Sequence, residues 1–202
     1  MKFEAGKNVH FTIVGKTGSG KSYLARQLLK KDFKRQVIFD PVMDWHDGII
    51  VESWAAFAEK IMLFAKLKEF KLIFRFSPDD PHKPETLNEA LRVIYHIGNI
   101  QVVIDEIQLF CTPHYMPPYM ENLYFIGRHK NIGVMGITQR PSKLNKSALA
   151  QSTHVFVGQL HERNDIRVVA DFLDENTQRI VGIKPREFIY FSPTFGKRDF
   201  KT

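Results

Sequence analysis

An α/β fold on a largely parallel sheet is the arrangement this sequence predicts, and three observations predict it. Short apolar runs alternate with segments of helical periodicity along the chain. The segment Ile100–Ile104 is apolar apart from Gln101, as suits a strand buried on both faces. A Gly-rich turn joins the first apolar run to the first helical segment, a junction typical of such folds.

The elements follow in order. A strand is expected at 10–14, then the Gly-rich turn, then a helix at about 21–31. A second strand, 36–39, is closed by Asp40-Pro41, because proline pushes the residue before it out of helical geometry. Trp54, Phe57, Ala58, Ile61 and Phe64 fall near one face of a helix. Residues 71–76 read as a strand, ended by the turn-rich Ser77-Pro78-Asp79-Asp80-Pro81. Leu87, Ala90, Leu91 and Ile94 keep the i, i+3, i+4, i+7 spacing of a buried helix face. Met120, Leu123 and Tyr124 mark a helix ending near Arg128, and 133–138 and 155–157 are two more strands. Ile166, Val169, Ala170 and Leu173 mark another helix, and 187–191 a late strand. One domain, 1–202, accommodates all of this.

Composition narrows the function classes. The chain has 202 residues, 44% hydrophobic and 25% charged, which suits a globular domain able to bury a core without disulfides or metals. Most of its 17 phenylalanines are expected in that core. Cys111 is the only cysteine, so no internal disulfide forms and a reducing compartment fits. The Met1-Lys2-Phe3-Glu4 start lacks the basic-then-apolar pattern of a secretory signal. No apolar run reaches the roughly 20 residues needed to span a bilayer, since 54–76 is broken by Glu59, Lys60, Lys66, Lys68, Glu69 and Lys71. The eight histidines show no metal-binding spacing. A net charge of +7 favours a polyanionic partner.

The chemistry is concentrated in two motifs. Gly15-Lys16-Thr17-Gly18-Ser19-Gly20-Lys21-Ser22 matches the phosphate-loop pattern in full. Its glycines let the backbone turn tightly and aim N–H groups at phosphates, and the following helix offers its positive end. Lys21 is placed to reach the β- and γ-phosphates of ATP, and the Ser22 hydroxyl to ligate Mg²⁺. The second motif is Asp105-Glu106 at the end of the buried strand, in the crevice where α/β sheets hold ligands. Asp105 suits the Mg²⁺ shell and Glu106 suits polarising the attacking water. Gln139, in Thr138-Gln139-Arg140-Pro141, would stand beside those acids if the strands are neighbours, there to sense the γ-phosphate or orient water; a polar residue that only caps the sheet is the alternative.

Together these residues resemble the FtsK/HerA superfamily of DNA-pumping ATPases. The resemblance rests on the phosphate loop, Asp105-Glu106, Ile38-Phe39-Asp40-Pro41, and Gly127-Arg128-His129-Lys130-Asn131-Ile132-Gly133 leading into Thr138-Gln139-Arg140-Pro141. It implies a P-loop NTPase domain of the ASCE, RecA-like type, and a homo-oligomeric ring, a hexamer ahead of a pentamer, translocating double-stranded DNA. It also implies an arginine finger from a neighbouring subunit, for which Arg128 matches the family position and Arg163 is a second candidate; an ordinary surface or interface arginine is the alternative for both. No barrel or membrane domain is expected before the loop and no winged helix after it. A motor so reduced is similar to the genome-packaging ATPases of icosahedral viruses with internal membranes. That implies action in the host cytoplasm and at the virion packaging vertex, against capsid or membrane vertex proteins. A DNA-transfer ATPase of a plasmid or integrated element, which would be cytoplasmic, and a virion assembly protein with little turnover are the competing readings.

Other phosphate-loop classes fit less well. Asn145-Lys146-Ser147-Ala148 fails the base-reading motif of Ras-like GTPases, and the ABC signature is missing. A small-molecule kinase is less consistent with Asp105-Glu106 and Gln139 than a hydrolase. Basic candidates for holding DNA are Lys30, Lys31, Lys34 and Arg35, then Lys143 and Lys146, then Lys197, Arg198 and Lys201. The segment from Pro113 to Tyr119 is expected to be an exposed loop facing DNA, a neighbouring subunit or solvent.

Overall fold

Alternation along the strands explains how both faces of the sheet are covered. Val102 and Ile104 point into one apolar cluster while Val103, between them, joins another across the sheet. Val37 and Phe39 divide from Ile38 in the same way. The computed structural model describes residues 9–77 and 79–202, with backbone alone at 31 and 32. The expected features at the first residues, at Pro78 and at the Lys31 side chain lie outside the described residues.

The chain runs β1 (Phe11–Val14), α1 (Lys21–Asp32), β2 (Arg35–Phe39), β3 (Ile49–Val51), α2 (Trp54–Phe64), β4 (Phe70–Phe74) and α3 (Lys83–Ile97). It continues through β5 (Ile100–Ile104), α4 (Pro118–Ile126), β6 (Ile132–Thr138), α5 (Lys146–Ala150), β7 (His154–Val157), α6 (Arg163–Leu173), α7 (Thr177–Val181), β8 (Glu187–Ser192) and β9 (Gly196–Lys201). The nine strands among the described residues form one sheet in the order β3-β4-β2-β5-β6-β1-β7-β8-β9. β3 to β7 are parallel, and β8 and β9 close the far edge antiparallel.

One face packs on α2, α3 and α4 through Phe57, Ile61, Leu87, Leu91, Ile94 and Leu123. The other packs on α1 through Leu24, Leu28 and Leu29, while α6 and α7 cover β7 with Ile166, Val169, Leu173 and Ile180. Among the described residues nine phenylalanines are buried, so much of the aromatic content serves the core. Caps set several helix starts: Ser53 accepts from Ala56 N–H, Asn145 from Ser147 N–H, and Glu162 from the N–H groups of Asn164 and Asp165.

The mostly parallel sheet flanked by helices is the expected fold, with local corrections. The strand expected at 71–76 is Phe70–Phe74. The helix expected to end near Arg128 ends at Ile126, and a 3-10 turn, Gly127–Lys130, takes over before β6. β3 and β9 were not anticipated. β3 is three residues long, and β9 (GKRDFK) is a polar edge strand in which apolar alternation has no face to mark. The loop before α4 is exposed only in part, since Pro117 is buried and Met116 and Tyr119 are half-buried.

Candidate functional site

Three neighbouring parallel strands, β5, β6 and β1, end on the same edge of the sheet. Each of them runs directly into a segment singled out by its residue types. β6 lies between the other two, pairing Ile104 with Gly136 on one side and Val14 with Thr138 on the other. The acids after β5 and the loop after β1 therefore stand two strand spacings apart, about 10 Å, with Gln139 at the end of the strand between them.

The loop after β1 is pinned to its neighbours. Gly15 N–H donates to the Thr138 carbonyl at 3.2 Å, and Lys16 N–H to the Gln159 carbonyl at 2.7 Å. Gly20 has φ 98° and starts α1 with no side-chain cap, leaving the first N–H groups of the helix to whatever lies in the loop. A Cβ on Gly15 would stand 2.6 Å from Ser19 Oγ, so the loop closes only around glycine. Ser19 Oγ is fully buried close against Gly15, with no hydrogen-bond partner among the described residues.

Lys21 is buried, and its Nζ donates to the Lys16 carbonyl at 3.0 Å, folded back over the loop. Burial pulls its ammonium below the usual lysine range, and the charges of Glu106, Asp105 and Asp44 oppose that pull. Ser22 is half-buried on the first turn of α1. Thr17, exposed on the loop, donates to Gln139 Oε1 at 2.8 Å, and Lys16 Nζ lies 2.7 Å from His161 Nε2. Gln139 is thus brought to the phosphate loop itself.

Asp105 is buried at 3% exposure. Its Oδ2 accepts the Trp45 indole N–H at 2.9 Å and its Oδ1 the Glu106 N–H at 3.0 Å. Burial pushes its carboxyl up to about 6; the two hydrogen bonds oppose the rise, and the charges of Glu106 and Asp40 add to it. A carboxylate so placed gains from a cation. Mg²⁺ takes few protein ligands beside substrate phosphates, and the Ser22 hydroxyl and Asp105 carboxylate are donors of that kind. Glu106 is half-buried in a left-handed backbone conformation, φ 45°, which a non-glycine residue adopts only when its surroundings enforce it. Its Oε2 accepts from the Gln108 amide at 2.5 Å.

Arg128 is not brought to this site. It is exposed on the Gly127–Lys130 turn, before β6, whereas Gln139 follows that strand, so the length of β6, about 20 Å, separates them. Arg163 starts α6, two residues after the His161 that contacts Lys16. Several of the basic candidates already have partners: Arg35 donates to the carbonyls of Ala65, Leu67 and Asn99, Lys197 pairs with Glu175, Lys201 with Glu187, and Arg198 lies over Tyr190. Lys143 and Lys146 are exposed and make no ion pair among the described residues.

Some site residues escaped sequence reasoning. Trp45 is fully buried under the guanidinium of Arg26 and holds Asp105. The Asp40 carboxylate, also buried, fixes Trp45 by accepting from the N–H groups of Asp44 and Trp45, with Arg75 Nε 3.5 Å away. The Asp40-Pro41 step was the available signal for this loop. Arg186, in the left-handed region at φ 66°, donates its N–H to the Ser19 carbonyl and lies over Tyr23. No pattern marked it.

Comparison with known proteins gives a family for the chain. The AAA domain family matches residues 7–142, which hold the phosphate loop, Asp105, Glu106 and Gln139. The chain is 27% identical over 170 residues to the DNA packaging ATPase P9 of Enterobacteria phage PRD1, covering 84% of this chain and 72% of that protein. It is 29% identical over 176 residues to Protein P9 of Pseudoalteromonas phage PM2, covering 86% and 78%. The genome packaging NTPase B204 of Sulfolobus turreted icosahedral virus 2, solved with AMPPCP, superposes with a TM-score of 0.74 at 19% identity over 96% of this chain and 97% of that one. That last likeness is one of fold.

Proposed function

Because the chain belongs to the AAA domain family, we propose that it hydrolyses ATP to ADP and phosphate and couples turnover to movement of double-stranded DNA, packaging a viral genome into a preformed capsid. The observation that carries the reading is the convergence of phosphate loop, acid pair and Gln139 on the adjoining ends of β1, β5 and β6. The relative named as a DNA packaging ATPase supports the link to packaging.

The residues divide the work. Within Gly15–Ser22, Gly15 and Lys16 pin the loop through their N–H groups, the N–H groups further along the loop and the start of α1 hold the phosphates, and Lys21 neutralises charge on the β- and γ-groups. Mg²⁺, held by Ser22 and Asp105 together with the phosphates, would neutralise developing charge when bound. Glu106 takes the proton of the attacking water as its oxygen bonds to the γ-phosphorus; the bond to the β–γ bridging oxygen breaks and ADP departs. Gln139, tied to Thr17, registers whether the γ-phosphate is present.

Arg128 serves a neighbouring subunit in a homo-oligomeric ring. Its position on the edge opposite its own loop excludes a role within its own site and leaves it exposed for another. The +7 charge suits a duplex partner in the ring's pore, with Lys143 and Lys146, exposed and without an ion pair among the described residues, as candidates to hold it. No helix among the described residues is long and apolar enough to cross a membrane, and docking at the packaging vertex falls to capsid or membrane vertex proteins of the virion, assembled in the host cytoplasm.

Replacing the base tests the chemistry. Glu106→Gln keeps shape and removes the proton acceptor, so ATP binding is expected to be unchanged while phosphate release falls at least about 100-fold. Unchanged turnover would remove Glu106 from its role.

A further inference from the structure

Glu106 is held by a chain of hydrogen bonds in which every donor and acceptor is determined. The Arg140 N–H can only donate, and it donates to Thr138 Oγ1 at 2.9 Å. Glu106 Oε2 is a carboxylate oxygen that only accepts, so the Gln108 NH₂ faces it. Gln108 Oε1 then faces Thr138, whose hydroxyl donates its single proton there at 2.6 Å. At the far end Arg140 Nε donates to Asp165 Oδ2 at 2.8 Å, and Asp165 is 1% exposed and also accepts the Ser142 N–H. The chain thus starts from a buried anchor on α6 and ends on the proposed base. Thr138 and Arg140 flank Gln139, so the end of β6 that touches the phosphate loop also sets the Glu106 carboxylate.

Gln108 has no contact with the phosphate loop among the described hydrogen bonds, so its effect runs through Glu106. Resting on the reading of Glu106 as the base, we propose that Gln108 is the positioning residue for Glu106. It occupies Oε2, leaves Oε1 to the attacking water, and registers the carboxylate against the Gln139 end of β6 through Thr138. Glu106 has little intrinsic reason to stay in place, since its backbone lies in the left-handed region and its side chain is only half-buried. Misplacement of a reacting group by about 1 Å costs on the order of 100-fold in rate.

The test combines steady-state hydrolysis with binding of a fluorescent ATP analogue in Gln108→Leu, Thr138→Val and Thr138→Ser, each also in a Glu106→Gln background. Gln108→Leu is expected to lower kcat about 10- to 100-fold with analogue affinity within about twofold of wild type. Thr138→Val, nearly isosteric but without the hydroxyl, is expected to follow it, and Thr138→Ser to recover most of the loss. Because the effect passes through Glu106, Gln108→Leu is expected to add nothing in the Glu106→Gln background. Wild-type kcat in Gln108→Leu, or a full further loss in the Glu106→Gln background, would overturn the proposal. If Glu106→Gln alone leaves turnover intact, the base assignment itself fails, an outcome distinct from either. Should Gln108→Leu fold poorly, the Thr138 pair decides: equal rates in Val and Ser variants would sink the idea.

Discussion

Asp105→Asn is expected to gain stability relative to wild type as pH rises from 4 to 7 in the ligand-free protein, while abolishing its Mg²⁺-dependent nucleotide binding. The Asp105 carboxyl is 3% exposed, and burial holds it at about 6 against an ordinary 3.8. The folded state therefore binds its proton more tightly than the unfolded chain does. Between about pH 4 and 6 the folded protein carries more protons, so stability falls as pH rises through that window and stays low above it. A carboxyl displaced this far corresponds to about 3 kcal/mol. The assay is urea unfolding of wild type and Asp105→Asn without ligand from pH 4 to 8. The variant's advantage is expected to grow by up to about 3 kcal/mol between pH 4 and 7 and then level off. Any fixed cost of the amide shifts the curve without changing its shape. An advantage that is flat with pH, or that shrinks as pH rises, would refute the burial argument.

Two further outcomes rest on the same structure. Burial pushes His10 and His154 down to about 4, so their contribution is present at pH 7 and lost as pH falls from 6.5 through 4. In the Asp105→Asn background, where the opposing carboxyl is absent, the unfolding free energy is expected to drop by several kcal/mol over that range, and a flat profile would contradict it. For the ring, Arg128→Ala is expected to lose turnover at least about 100-fold, as is Lys21→Ala. Mixing the two is expected to restore part of it, because a mixed interface joins an intact loop to an intact arginine; a mixture as inactive as its parts would count against action in trans.

The site was more legible in the sequence than the frame that holds it. Residues 15–22 and Asp105-Glu106 could be read because phosphate and metal chemistry restricts both residue type and spacing. Gln139 was expected beside the acids from the strand before it, and its side-chain contact is with Thr17 of the loop. Trp45, Gln108 and Asp165 act through hydrogen bonds to segments remote in sequence, and no local pattern encodes those. The same contrast holds for the fold. β5 and α3 bury apolar faces and so carry a period, whereas β9 is a polar edge and β3 too short for alternation to register. The basic tail misled for a related reason, since Lys197 and Lys201 are spent on ion pairs with Glu175 and Glu187, visible only once the chain is folded.

The coupling of hydrolysis to DNA is tested most directly by steady-state ATP turnover with and without long double-stranded DNA, using Glu106→Gln as the blank. Stimulation by duplex in the wild type and none in the blank is the result expected of a packaging motor. Wild-type turnover indifferent to DNA would contradict that account and leave an ATPase working on another partner.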